Sequence, residues 1–170
     1  LNFHFDFVTQ QFIFDEICKM SSKKATGLDN LSIRLLKLAA PIVCDSLAYI
    51  CNLSLFTSTF PCSWKKARVT PIFKEGNKSD VNNYRPISVL PIISKIIERS
   101  VHNQLYDFLT KNELLNSCQS GFRKDHSTTT TLLDVSDHIL NNMNNGKLTG
   151  ALFIDLKKAF DTVNHDLLLK

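Results

Sequence analysis

The sequence predicts an α+β fold, and three observations carry that prediction. Apolar residues recur at three- and four-residue spacing before residue 58 and again after residue 94, the signature of amphipathic helices. Between them, ARVTPIFK and YRPISVLP are short β-type runs separated by the polar stretch EGNKSDVNN, which predicts a hairpin with a mobile tip. Near the end, LTGALFID is an apolar run closing on a carboxylate, the pattern of one further strand. With 44% apolar and 21% charged residues the chain is able to bury a core. Five glycines and five prolines exclude collagen-like or low-complexity material.

The elements follow in order. FHFDFVTQQFIFDEICKM predicts an extended entry and then a helix, with Thr9 as its cap. KKATGLDN supplies a glycine turn and Asp29 or Asn30 as the next cap. A helix over Leu31–Ala39 should stop at Pro41, and a longer one should run from Ile42 to about Ser58. In the hairpin, Arg68, Thr70, Ile72 and Lys74 share one face by alternation. Pro71 marks an edge or a break, and Pro86 holds Arg85 extended. Ser94 reads as the cap of a helix from Lys95 to about Lys111, and another helix is predicted over Thr129–Asn142. LKKAFDTV then turns helical. No repeat and no linker is visible.

Net charge is only +4, but residues 64–99 hold eight basic side chains against three acidic ones, with Trp64 and Tyr84 interleaved. Such a segment attracts a polyanion, or else is an ordinary solvated basic surface. The five cysteines form no CxxC pair or Cys/His cluster, which excludes a disulfide framework and a zinc site. Cys44 and Cys51 fall in an apolar helical pattern and read as buried small hydrophobes. No apolar run reaches the roughly 20 residues of a membrane span, and no basic leader precedes an apolar segment, so no membrane partner is expected. The chain starts at Leu1 and stops at Lys170 inside HDLLLK, so both ends read as cut.

FID is the most informative spot. Asp155 ends an apolar run, where a carboxylate needs a cation or donors to stay charged. Two roles are open for it: a ligand of a divalent metal in phosphoryl or nucleotidyl transfer, or the cap of the helix that follows. Asp161 is equally a helix-surface acid beside Lys157 or Lys158.

Four stretches, in order, carry a resemblance. ALFIDLKKAFDTV looks like motif A of reverse transcriptases in the form found in LINE-type, non-LTR retrotransposons. KKATGLDN with LSIRLLK resembles the segment ahead of the fingers, WKKARVTPIFKEGNKSDVNNYRPISVLPIISKIIER the paired finger motifs, and QSGFRKDHST the motif between fingers and palm. Together they span about residues 7–170.

The resemblance implies a right-hand polymerase: mostly helical fingers around a basic β-hairpin, then the first strand of a truncated palm. On that reading residues 1–66 are the N-terminal helical part of the fingers and 67–91 the hairpin. Residues 92–147 are the helical connection between fingers and palm, and 148–170 the start of the palm. Asp155 would be the first metal-binding carboxylate, with the backbone carbonyl of Leu156 beside it, for Mg²⁺ or Mn²⁺, two ions in the full-length enzyme. Lys74 and Arg85 match the finger cations that close on the incoming triphosphate. Phe160 matches the aromatic that obstructs a ribose 2′-OH. Gln119, Gly121, Phe122 and Arg123 match a segment near template and nucleotide, and Asp161 is a motif residue with a structural role. Ser32 stands where many relatives carry proline.

The function implied is RNA-directed DNA polymerisation, transfer from a dNTP to a DNA primer 3′-OH on an RNA template. One metal carboxylate cannot build a two-metal site, so the chain is expected to be inactive in isolation. The rest of the palm and the thumb of the same polypeptide would be missing. The competing reading is a non-catalytic nucleic-acid-binding remnant of a retroelement. An RNA-templated RNA polymerase conflicts with the aromatic at Phe160, and a plain structural module does not explain four ordered motifs. No targeting signal appears, and an intracellular location is expected for a retroelement protein.

Overall fold

A computed structural model describes residues 1–156, 159 and 162–169. They form two compact units, residues 1–115 and 116–170. The division falls in the polar stretch NELLNSCQS, where no composition break announces a linker.

The first unit is built on three helices: α1 (Gln10–Lys19), α2 (Ile33–Phe56) and α3 (Ile92–Lys111). Ile13 and Ile17 lie one turn apart on α1 and are wholly buried. They meet Ile33, Leu36, Ala40, Cys44, Leu47 and Cys51 of α2, whose spacing of three and four makes one stripe. Ile92, Ile96 and Ile97 of α3 complete the core. Each such isoleucine contributes about 1.5–3 kcal/mol on leaving water. The entry segment, residues 1–9, has no regular secondary structure and docks through two side-chain amides. Val8 N–H donates to Asn52 Oδ1 at 2.7 Å, while Asn52 Nδ2 donates back to Val8 O at 2.9 Å. Gln104 treats Asp6 the same way, at 2.7 and 3.2 Å. Each amide pairs with the backbone as a neighbouring strand would.

Thr9 caps α1 as predicted, its side chain accepting from Phe12 N–H. The other boundaries need correction. Pro41 does not split α2, which runs unbroken through it. A proline inside a helix costs about 3 kcal/mol, but its ring lies on the exposed side, and burial of the stripe from Ile33 to Cys51 outweighs that cost. The cap of α2 is Ser32, not Asp29 or Asn30. Asn30 sits at φ +54°, the left-handed region that asparagine tolerates, and its side chain is engaged elsewhere. Ser94 is not a cap either. It is buried within the first turn of α3, and its hydroxyl donates back to Pro91 O at 2.9 Å.

Continuous α2 is, by length and composition, apolar enough to cross a membrane, contrary to the expectation of no such run. Its buried stripe serves the core of the first unit, while Leu38, Ile42, Tyr49 and Phe56 remain exposed. Cys44 and Cys51 are buried as predicted, and burial pushes the Cys51 thiol up to about 11. Cys44 is raised too, by burial first and then by Cys18 and Asp45.

The predicted hairpin forms from β1 (Arg68–Phe73) and β2 (Tyr84–Val89), antiparallel, with Thr70 opposite Ile87 and Pro71 opposite Pro86. A 3-10 turn, Cys62–Lys65, leads into it, and Trp64 leans on the core. Gly27 is buried, and a Cβ there would lie 2.7 Å from Pro91 N, so the turn and the exit from β2 approach to backbone contact.

In the second unit α4 (Thr128–Asn144) starts at Ser127 with a full capping box to Thr130. A short α5 (His165–Leu168) follows, capped by Asn164. The strand predicted in LTGALFID is absent: residues 147–156 have no regular structure. A strand must pair its N–H and C=O groups, and this run has no partner strand among the described residues. The helix predicted over LKKAFDTV falls largely outside the described residues.

Candidate nucleotide and metal site

The hairpin carries the two candidate cations, Lys74 and Arg85. Residues directly opposite in an antiparallel pair point to the same face. The register therefore places Arg85, opposite Ile72, on the face of Arg68 and Thr70. The ladder continues one step beyond β1, with Lys74 N–H donating to Asn83 O at 2.8 Å. Alternation then puts Lys74 diagonally beside Arg85. Both strands of the ribbon are largely solvent-exposed, and Arg85 has no ion pair among the described residues. Lys74 Nζ stands 3.9 Å from Glu75, both exposed, a contact worth well under 1 kcal/mol. Both cations are thus available to an anion.

The tip is more braced than a polar loop suggests. Asn77 Oδ1 accepts from Ser79 N–H and Asp80 Oδ1 from Asn82 N–H, two Asx turns in succession. Asn83 Nδ2 donates to Asn77 O, and Tyr84 Oη to Lys78 O, both at 2.9 Å. The Tyr84 ring meets Phe73 edge-on at 5.5 Å, and Lys78 Nζ lies 5.8 Å from the Phe73 ring centre. Gly76, at φ +87°, lets the chain turn there. At the base, Arg68 Nη2 donates to Asn30 Oδ1 at 2.8 Å. Sequence reasoning missed this bracing, although the density of Asn and Asp in GNKSDVNN was its signal.

Gln119, Gly121, Phe122 and Arg123 lie together on one loop of the second unit. Gln119 Nε2 donates to Gly121 O at 3.0 Å, and Arg123 N–H reaches Ser120 O at 3.4 Å. Phe122 sits at φ +61°, a strained conformation for an aromatic residue, and the residue is 90% exposed. Arg123 Nη1 is buried with no hydrogen-bond partner among the described residues, an orphaned donor that is costly to leave unmade.

Asp155 follows Leu152, Phe153 and Ile154, which are 86, 91 and 77% exposed. The hydrocarbon expected to surround its carboxylate faces water instead, because the run has no sheet to pack into. Asp155 is exposed and has no hydrogen bond or ion pair among the described residues, and Leu156 next to it is also exposed. No group of three or more potential metal ligands occurs among the described residues. Phe160 and Asp161 lie outside the described residues. Lys74 and Arg85 belong to the first unit, and Asp155 and the Gln119–Arg123 loop to the second.

A family model described as reverse transcriptase (RNA-dependent DNA polymerase) matches residues 72–170. The chain is 37% identical over 158 residues to a probable RNA-directed DNA polymerase from transposon BS of Drosophila melanogaster. It is 36% identical over 163 residues to the RNA-directed DNA polymerase from mobile element jockey of the same fly. Against a probable RNA-directed DNA polymerase from transposon X-element it is 30% identical over 154 residues. These matches cover 90–95% of the chain but only 17–18% of each relative.

Proposed function

The chain belongs to the reverse transcriptase (RNA-dependent DNA polymerase) family, with non-LTR retrotransposon relatives, and on that premise we propose that it supplies the fingers and the start of the palm of an RNA-directed DNA polymerase. Residues 1–66 and the hairpin, 67–91, then form the fingers. Residues 92–147 are the connection, and 148–170 open the palm. The observation that carries this reading is the hairpin register, which gathers Lys74 and Arg85 on one exposed face of a ribbon whose tip is braced by its own side chains.

In this reading Lys74 and Arg85 hold the triphosphate of an incoming dNTP. Arg85 offers a planar fork suited to paired phosphate oxygens and Lys74 a mobile point charge. They position the triphosphate while a DNA primer 3′-OH, paired on an RNA template, attacks the α-phosphorus; the new O–P bond forms as the bond to the β-phosphate breaks and pyrophosphate leaves. Gln119, Gly121, Phe122 and Arg123 lie toward template and nucleotide, and the orphaned Arg123 Nη1 is a donor awaiting an acceptor. Phe160 obstructs a ribose 2′-OH, and Asp161 has a structural part.

Asp155 and the Leu156 carbonyl fit a Mg²⁺ or Mn²⁺ ion in kind. Both are oxygen donors, the carboxylate has no competing described partner, and Mg²⁺ is ordinarily held by one or two carboxylates plus substrate phosphates and water. Such an ion supplies charge stabilisation to the phosphates during transfer.

The test uses an intact polymerase containing this segment. Lys74→Glu should raise the KM for dNTP about tenfold or more, through loss and reversal of a phosphate contact. Lys111→Glu, at the far end of α3, should leave it unchanged. Equal losses from both substitutions would remove the phosphate-holding role of the hairpin.

A further inference from the structure

Apart from the hairpin, the first unit has a second basic feature. The end of α1, the loop after it and one side of α3 enclose an open cleft of about 780 Å³, within the size range of ligand sites. Lys95, Arg99 and His102 line it from α3, spaced four and three residues apart and hence on a single stripe. Lys24 lines it from the loop after α1.

The charges do not cancel. Lys19 is held by Glu16 at 3.2 Å, which removes that pair from the balance. The side chains of Lys24, Lys95 and Arg99 have no ion pair or hydrogen bond among the described residues, and only Glu98 opposes them in the lining. The carbonyl end of α1 brings about half a negative charge, and Lys37 Nζ donates to Cys18 O there at 2.8 Å. Three free cations therefore dominate. The exposed His102 ring stacks on Tyr106, with centroids 5.6 Å apart and planes 12° from parallel. Cations along a groove beside a flat aromatic surface are the combination that takes a single-stranded nucleic acid, backbone on the charges and a base on the ring. An acidic peptide would satisfy the charges but has no base for the ring.

We propose that this cleft binds a single RNA strand through its phosphates, with His102 as a stacking platform, as a contact separate from the hairpin cations. The choice of RNA as the polyanion rests on the polymerase reading; the cleft itself does not.

The experiment measures fluorescence anisotropy of the 170-residue chain with a labelled, unstructured 20-nucleotide RNA over a range of salt. Three variants are compared: Lys24→Glu/Lys95→Glu/Arg99→Glu, Lys74→Glu/Arg85→Glu, and His102→Ala, each first matched to the parent by circular dichroism. The milder Lys95→Gln/Arg99→Gln stands in if the triple reversal loses helix. The cleft variant should weaken binding roughly tenfold or more and lower the slope of log affinity against log salt by about 2, three phosphate contacts on a single strand. His102→Ala should cost about fivefold or more with the slope unchanged. If only the hairpin variant loses binding, the cleft proposal is overturned while the polymerase reading stands. If the folded parent chain binds no RNA, the cleft proposal is overturned outright. If polyglutamate of equal length displaces the RNA as well as unlabelled RNA does, the site is a general anion cleft and the RNA assignment is overturned.

Discussion

The two units solve the problem of apolar residues in opposite ways. The first collects Ile13, Ile17, Ile33, Ile92, Ile96 and Ile97 into a core from which water is wholly excluded. In the second, none of the described residues is buried, and Leu132, Leu133, Leu140, Met143, Phe153 and Ile154 all face solvent. Yet α4 is as well formed as α1, because Ser127 and Thr130 satisfy its first N–H groups locally. Secondary structure in the second unit is therefore a matter of caps and turns, and in the first a matter of packing. A helix whose first turn is capped locally, as α4 is, can form without a packing partner; a strand such as the one predicted in LTGALFID needs a neighbour for its N–H and C=O groups.

That contrast can be broken most directly at a core position. Ile96→Ala should cost about 3 kcal/mol, from lost transfer energy plus the cavity left behind, read as a shift in the urea midpoint by circular dichroism. Leu140→Ala on α4 should change it by no more than about 0.5 kcal/mol. Equal costs would mean that the second unit has a core of its own. Next in size is Gly27→Ala, where the added methyl meets the backbone at Pro91 and should cost about 1–3 kcal/mol; an unchanged midpoint would show that the turn and Pro91 are not in contact.

A smaller effect separates local from global order. Ser127→Ala should remove about 1 kcal/mol from α4 alone. Hydrogen exchange would then quicken in the first turn of α4 and stay constant in α1 to α3. The mildest measure is chemical. At pH 8, Cys18, Cys62 and Cys118 should react promptly with a thiol reagent, while Cys44 and Cys51 wait for unfolding. Cys51 has its native pKa raised to about 11, above its unfolded value. The unfolded chain thus binds fewer protons in that window, and stability should fall as pH rises from about 9 toward 11. Cys51→Ala should flatten that slope.

What could be read from the sequence follows the same division. The hairpin, Thr9 as a cap, the helix starting near residue 128 and the burial of Cys44 and Cys51 all came from signals a few residues long. Pro41 misled because its local cost is visible in the sequence while the burial that offsets it depends on α1 and α3. Ser94 misled for the same reason: a good capping residue was claimed by a core that Ile92 enters first. At the candidate site, alternation grouped Lys74 with Arg68, and Pro86 marked Arg85 as extended; pairing Lys74 with Arg85 came from the family resemblance, and their shared face needed the register. The pairing of Asn52 with Val8 and of Gln104 with Asp6 spans 44 and 98 residues and leaves no local trace.

The Gly27–Asn30 turn has a mechanical consequence. It is closed by Asn30 N–H on Gly27 O, and it grips both roots of the ribbon: Arg68 at the start of β1 through Asn30, and Pro91 just after β2 through Gly27. A ribbon clamped at both feet behaves as a cantilever. With six residues per arm its tip stands roughly 20 Å out, so a tilt of a few degrees at this four-residue clasp sweeps Lys74 through an ångström or more. The aim of the cationic tip is thus set by a bend in the chain some 45 residues upstream in sequence.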